Sequence, residues 1–195
     1  MKEEILKKIA EAFINEPYIG DENIVYNNSE DHFECYELKK QFIGVKWEDV
    51  SKELIFENKD YLPFLSAEGF KYYLPAFMNY IISDFYDSDT LADNVIDLLT
   101  LPVEEDSIDM AQNIKMYELD KKIPEFDFEG FLYDQVEDID ERVKDFLHKV
   151  SLFNNSQKKV ISDFLKYLNE NHAEDFIYNP VKPINALERF WLKLQ

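Results

Sequence analysis

The stretch FKYYLPAFMNYIISDF, residues 70–85, is the most apolar run of the chain and decides the centre of the fold. Its second half carries large apolar side chains over more than half of a helix's circumference, which is typical of a buried helix: Phe77, Met78, Ile81, Ile82 and Phe85. Pro75 lacks an amide proton, so inside a continuous helix it would cost about 3 kcal/mol. The sequence therefore predicts a break at Pro75, with one helix from Ser66 to about Tyr73 and a second that begins with Pro75.

Helical periodicity continues along the rest of the chain. Apolar residues recur at spacings of three and four within residues 2–14, 31–42, 47–56, 91–99, 129–149 and 155–171. A last helix after Pro183 places Leu187, Phe190, Trp191 and Leu194 on one face. Ser66 is suited to be the N-cap of the helix that contains Phe70. No segment is a convincing strand pair, so we predict an all-α, compact single domain over residues 1–195, with about seven or eight helices.

The charge balance restricts the classes of partner. The chain carries 41 acidic and 21 basic residues, a formal net charge of −20. Such a surface repels phosphate backbones and anionic lipids, so we expect neither nucleic-acid nor membrane binding, whereas basic proteins stay open as partners. The single cysteine, Cys35, excludes an intramolecular disulfide and multi-cysteine zinc sites. Without a signal-peptide pattern or a long apolar run, we expect a cytoplasmic protein.

The section from 102 to 150 differs in character and reads as an acidic elaboration within the domain. Residues 101–150 hold 15 acidic and 6 basic side chains, a net charge of −9. The section begins as a predicted loop through Glu104, Glu105 and Asp106, and Pro124 interrupts it again. A long helix over 129–149 then carries an apolar stripe, made of Phe131, Leu132, Val136, Ile139, Val143, Phe146 and Leu147.

No pattern of catalytic, metal-binding or cofactor-binding residues emerges. The three histidines, His32, His148 and His172, form no close pair, and the four glycines lie too far apart for a phosphate-binding loop. His32 lies one helical turn from Cys35, a spacing that a cysteine nucleophile and its base would also allow. The sequence thus predicts no catalytic residue, no metal and no cofactor, and it leans against an enzyme.

Four segments together resemble a family of small uncharacterised bacterial proteins, a domain of unknown function with a YYLPAFM-type signature. They are AFINEPYIGDENIVY, QFIGVKWEDV, LPFLSAEGFKYYLPAFM and QKKVISDFLKYL. The resemblance covers Ile5 to Leu101 and Ser156 to Leu168, with signature positions at Trp47, Tyr72, Tyr73, Leu74 and Pro75. It implies an all-α fold in a cytoplasmic bacterial setting and brings no established activity.

One hypothesis is a non-enzymatic interaction domain, immunity- or antitoxin-like, that binds a basic protein. Its acidic face would speed association electrostatically. The candidate interaction residues are the carboxylates on the polar side of the predicted long helix: Glu137, Asp138, Glu141 and Asp145. A surface that imitates nucleic acid is disfavoured, because lysines are mixed with the acids along most of the chain.

The alternative hypothesis is a small-molecule-binding or hydrolytic domain with a pocket beside Pro75. Candidate lining residues are the neighbouring aromatic side chains, Trp47, Tyr72, Tyr73 and Tyr80. The sequence leaves open whether these tyrosines belong to the core or face a ligand. It also gives no oligomeric state.

Overall fold

The computed structural model describes residues 2–176 and 179–194. Within these ranges eleven α-helices and six short 3₁₀ helices form and no β-strand does, apart from an isolated antiparallel bridge between Val25 and Leu65. The helices are α1 (Lys2–Phe13), α2 (Phe33–Phe42), α3 (Lys52–Asn58), α4 (Ala67–Ser83), α5 (Leu91–Leu98), α6 (Glu104–Met116), α7 (Leu119–Lys122), α8 (Phe128–Glu137), α9 (Ile139–Ser151), α10 (Asn155–His172) and α11 (Lys182–Arg189). The predicted all-α class is confirmed, whereas the predicted number of about seven or eight helices is too low.

The chain divides into two compact units. Unit 1 comprises Met1–Thr100 and His148–Gln195, and unit 2 comprises Leu101–Leu147. Unit 2 thus interrupts unit 1 in sequence, close to the limits of the acidic section. The single domain over residues 1–195 stays a prediction.

Helix α4 forms the centre of unit 1. Twelve of its seventeen residues are buried, so it is covered on nearly all sides. Helices α1 and α5 and the 3₁₀ turn Trp47–Asp49 pack against it, and α10 packs against α1 and α11. Glu16, just after α1, joins three elements, because its carboxylate pairs with Lys71 of α4 and accepts a 2.7 Å hydrogen bond from Gln157 Nε2 of α10.

Pro75 lies inside α4, so the predicted break is wrong. The helix runs without interruption from Ala67 to Ser83, and Pro75 itself is buried. A proline in a helix interior costs about 3 kcal/mol. A break would withdraw several large side chains from the core, and each is worth about 1.5–3 kcal/mol when buried. Packing therefore outweighs the local penalty.

The first turn of α4 is fixed by the segment before α2. Ser66 caps the helix as predicted, since its Oγ accepts a hydrogen bond from the Gly69 amide at 2.8 Å. The Ser66 amide donates to the Ile24 carbonyl at 3.0 Å, and the Ser66 hydroxyl donates to the Asn23 carbonyl. A Cβ at position 69 would lie 2.2 Å from the Ile24 oxygen, so only glycine allows this close approach.

Three predicted boundaries change in the structure. The helix predicted over 47–56 is the 3₁₀ turn Trp47–Asp49 followed by α3, because Ser51 Oγ accepts from the Leu54 amide at 3.2 Å and caps α3. The loop predicted at 104–106 is the first turn of α6, where acidic residues favour a helix N-terminus. The long helix predicted over 129–149 is divided at Asp138, whose ψ of 4° lies outside helical values.

The C-terminal segment is α11 followed by a 3₁₀ turn, Trp191–Leu194, in place of one predicted helix. Trp191 Nε1 donates to the Leu99 carbonyl at 2.7 Å and holds the turn against the end of α5. The side chain of Leu194, the last residue of the predicted stripe, lies outside the described part of the chain. Of the helices in residues 2–176 and 179–194, none has the length and apolarity needed to span a bilayer.

Candidate protein-interaction site

The apolar stripe predicted for residues 129–149 is present on α8 and α9, but most of it is not buried. Among its seven residues only Phe146 is buried, whereas Val136 and Leu147 are each 46% exposed. Helix α8 contributes no buried residue. Phe131, Leu132, Ile139 and Val143 are half-buried, so the exposed apolar area is concentrated at Val136 on α8 and Leu147 on α9. Apolar surface that stays open to solvent is a candidate for contact with another protein. We call this row, Phe131 to Leu147, the α8–α9 stripe.

Unit 2 also contains an open cavity of about 730 Å³, which is in the size range of ligand sites. Its apolar wall comes from α6, from α8 and from the turn between α7 and α8: Ala111, Ile114, Pro124, Phe126, Phe128 and Leu132. The Phe126 ring lies edge-on to Phe128, with ring centres 4.7 Å apart, and 5.7 Å from the ring centre of Phe131. The aromatic rings thereby form a connected wall.

Carboxylates dominate the polar part of this cavity. They belong to Asp120, Glu125, Asp127 and Glu129, and Lys115 is the cation among the lining residues. Asp127 is held in place as the cap of α8, since its Oδ1 accepts from the Gly130 amide at 2.9 Å. Unit 2 as a whole has fifteen acidic and five basic residues, a net charge of −10. The cavity therefore combines an apolar wall with a negative potential.

The four predicted interaction residues lie elsewhere in the same unit. Glu137 ends α8, Asp138 separates the two helices, and Glu141 and Asp145 belong to α9; all four are exposed. None of them is among the residues that line the cavity. Sequence reasoning missed the cavity carboxylates, and the signal that accompanies them is the Phe126–Phe128 pair just after Pro124 in an otherwise acidic section.

The four residues predicted to line a pocket beside Pro75 are all buried in unit 1, with exposed fractions of at most 9%. Tyr73 Oη donates to the Val45 carbonyl at 3.0 Å and lies 3.3 Å from the Phe42 carbonyl oxygen, and Tyr80 Oη donates to the Asp87 carbonyl at 3.2 Å. The Tyr72 and Tyr73 rings meet edge to face with centres 5.0 Å apart. Trp47 belongs to the 3₁₀ turn that packs on α4.

Tyr18 and Asp21, which lie before α2, connect this cluster to Gly44 just after α2, and the Tyr18 ring lies edge-on to the Tyr72 ring with centres 5.6 Å apart. The Tyr18 hydroxyl donates to Asp21 Oδ1 at 2.5 Å and accepts from the Gly44 amide at 2.9 Å. The Tyr18 hydroxyl and the Gly44 amide both lower the pKa of Asp21. Burial, reinforced by Tyr18, raises the pKa of Tyr73 far above its usual value. Tyr73 is therefore a neutral donor that supports the core.

Among the described residues of unit 1, two buried side-chain polar atoms make no hydrogen bond. They are the indole Nε1 of Trp47, a donor, and Oδ1 of Asn79, an acceptor on α4. A buried polar group without a partner costs about 1–3 kcal/mol. Asn79 lies one helical turn after Pro75, and Trp47 belongs to the 3₁₀ turn that packs on the same helix.

His32 and Cys35 do lie together, but in a capping arrangement. His32 Nδ1 accepts from the Cys35 backbone amide at 3.5 Å, and its Nε2 hydrogen-bonds to Tyr26 Oη at 2.8 Å. Burial raises the pKa of Cys35, which disfavours the nucleophilic thiolate. Across the described residues, no three His, Cys, Asp or Glu side chains gather closely enough to hold a metal ion.

Residues 1–121 match DUF6714, which is described as a family of unknown function. The chain belongs to this family. No curated protein and no solved structure is detectably similar to it. The resemblance expected over Ile5–Leu101 lies within the DUF6714 match, and the part expected over Ser156–Leu168 lies outside it. The match ends inside α7, so the cavity residues from Pro124 onward and the α8–α9 stripe follow the DUF6714 segment.

Proposed function

We propose that the protein is a non-enzymatic interaction domain that binds a basic protein in the bacterial cytoplasm, in the manner of an immunity protein or antitoxin. The observation that carries this proposal is the α8–α9 stripe, which is apolar, half-buried to exposed except at Phe146, and set among carboxylates. A single buried cysteine supports a reducing compartment. The net charge of −20 favours basic partners over nucleic acids and anionic lipids.

The two parts of this surface have different roles in binding. Val136 and Leu147 are each 46% exposed, so covering either one in an interface contributes about half of the 1.5–3 kcal/mol of full burial, and the stripe supplies affinity. The exposed carboxylates at Glu137, Asp138, Glu141 and Asp145 lie within the same two helices or between them. They attract a basic partner at a distance and raise the association rate, an effect that salt screens.

The test is capture from a lysate of the source organism with three immobilised proteins. These are the wild type, the stripe variant Val136→Ser with Leu147→Ser, and the charge variant Glu137→Gln with Glu141→Gln. We expect one basic protein on the wild type, loss of its retention on the stripe variant, and release at lower salt from the charge variant. Equal retention on all three proteins would contradict the proposal. Circular dichroism checks that both variants keep their helices.

The alternative function is binding of a small polar molecule beside Pro75, and the unpaired Trp47 Nε1 and Asn79 Oδ1 favour it. A ligand at a hundredfold its dissociation constant adds about 2.7 kcal/mol to stability. Thermal shift against a metabolite set should then reveal a stabilising compound, and Trp47→Phe should abolish the shift. The absence of any shift across a broad set would count against this alternative.

A further inference from the structure

We propose that the cavity of unit 2 receives an amphipathic basic segment of a protein partner, which inserts one large apolar side chain and pairs its lysine or arginine residues with the cavity carboxylates. This inference rests on the proposed function, since it names the part of the partner that is recognised. It adds contacts at residues 111–132 to those of the α8–α9 stripe, and Leu132 is common to both.

The apolar wall of the cavity favours an apolar group on the ligand. Its wall is built from aliphatic and aromatic side chains on two helices and one turn, and Phe126 and Phe128 form its aromatic portion. Phe126 is 48% exposed, so half of its surface is open to a partner. A leucine, phenylalanine or tryptophan from a partner would cover these rings, as buried anchors do at the centre of interfaces.

The charged residues that line the cavity favour a ligand that carries positive charge. Four carboxylates, Asp120, Glu125, Asp127 and Glu129, outnumber the one lining cation, Lys115. An anionic or neutral ligand would leave this potential unbalanced within a unit of net charge −10. Lysine and arginine side chains can extend from a helix beside an apolar anchor and reach such carboxylates.

A protein segment fits the surface better than a small cation does. Apolar side chains are also exposed on the same elements outside the cavity lining, at Ile108, which lies one helical turn before Ala111 on α6, and at Ile123 beside Pro124. A small cation would leave these side chains in water. An amphipathic helix lays an apolar face along such a groove and covers them together.

The first test uses a synthetic probe with the full chain. The probe is a fluorescein-labelled peptide of about four helical turns, with leucines on one face and lysines on the other. The matched control peptide has every lysine replaced by glutamate. Fluorescence anisotropy should show binding of the lysine peptide and at least about tenfold weaker binding of the glutamate peptide.

Three variants then locate the contact. Ala111→Phe fills the cavity without changing charge, so it should weaken binding about tenfold or more. Glu125→Gln with Glu129→Gln removes two cavity charges and should also weaken binding. Glu137→Gln with Glu141→Gln removes the same charge from exposed residues that do not line the cavity, and it should have a smaller effect.

The outcomes separate this inference from the proposed function. If binding responds to the Glu137 and Glu141 changes and ignores both cavity variants, the cavity inference is wrong while the proposed function stands. If neither peptide binds, or both bind equally well, the cavity inference is wrong, whereas the proposed function is decided by the capture experiment. Displacement of the lysine peptide by spermidine at a comparable concentration would assign the cavity to a small cation and overturn the inference.

Discussion

Replacing Gly69 by alanine should destabilise unit 1, although alanine is the better helix former. Gly69 is the third residue of α4, and its amide is bound by the Ser66 cap. The added Cβ would lie 2.2 Å from the Ile24 oxygen, where ordinary contacts begin at 3.4 Å. The neighbour is backbone and has no rotamer to change, so the segment around Ile24 must move by about 1 Å.

The size of the effect follows from what that movement disrupts. Alanine in place of glycine favours the helix by up to about 1 kcal/mol. Against this, the Ser66 amide loses the Ile24 carbonyl and the Ser66 hydroxyl loses the Asn23 carbonyl, at about 0.5–1.5 kcal/mol each. Ile24 and Val25, which are buried, lose packing worth about 1 kcal/mol or more. We expect a net loss of about 2 kcal/mol.

Thermal unfolding followed by circular dichroism measures this change. For a chain of this length, a loss of about 2 kcal/mol lowers Tm by roughly 4–8 °C. Gly130→Ala is the matched control, since Gly130 is also the third residue of its helix and also donates to the cap, here Asp127. The atoms nearest to its Cβ would all belong to the Asp127 side chain, which can shift at the cost of part of its cap, and alanine's helix propensity offsets that cost, so we expect a small change of either sign. A Tm for Gly69→Ala equal to or above that of the wild type would refute the reasoning.

Two further predictions concern the tyrosine cluster of unit 1. Tyr73→Phe removes the donor to the Val45 carbonyl and should cost about 1–2 kcal/mol in urea unfolding, whereas an unchanged midpoint would argue against a structural role. Asp21→Asn tests pH dependence. The folded-state pKa of Asp21 lies below its ordinary 3.8, so its contribution is present above that pH and is lost as the pH falls through the folded-state value. The variant should therefore lose less stability than the wild type between pH 5 and pH 3, and identical losses would contradict the Tyr18–Asp21 hydrogen bond as the cause.

The parts of the fold that depend on local signals could be predicted from the sequence. The apolar run of α4 and the Ser66 cap depend on side chains within a few positions of each other, and both are present in the structure. The predicted break at Pro75 is wrong because the local cost of a proline inside a helix is outweighed there by the packing of α4 in the core. The sequence shows the cost of proline at one position, but it does not show how many neighbours hold α4 straight.

The α8–α9 stripe illustrates a second limit. Helical spacing shows which face is apolar, as it does for Val136 and Leu147, but it does not show whether anything covers that face. The cavity carboxylates were missed for a related reason. In a section with this many acids, Glu125 and Glu129 look no different from Glu137, and only the fold places the first two beside an aromatic wall.

The interruption of unit 1 by unit 2 has a consequence for folding during synthesis. Glu16 and Gln157, which hydrogen-bond in the folded protein, are separated by 141 positions. At about 5–20 residues per second, a ribosome needs roughly 7–30 s to pass from one to the other. During that time α1 and α4 have left, or are leaving, the ribosome while α10, which packs on α1, does not yet exist. The nascent chain therefore carries an uncovered apolar surface through the whole translation of unit 2, and its dependence on chaperones should be greatest in that interval.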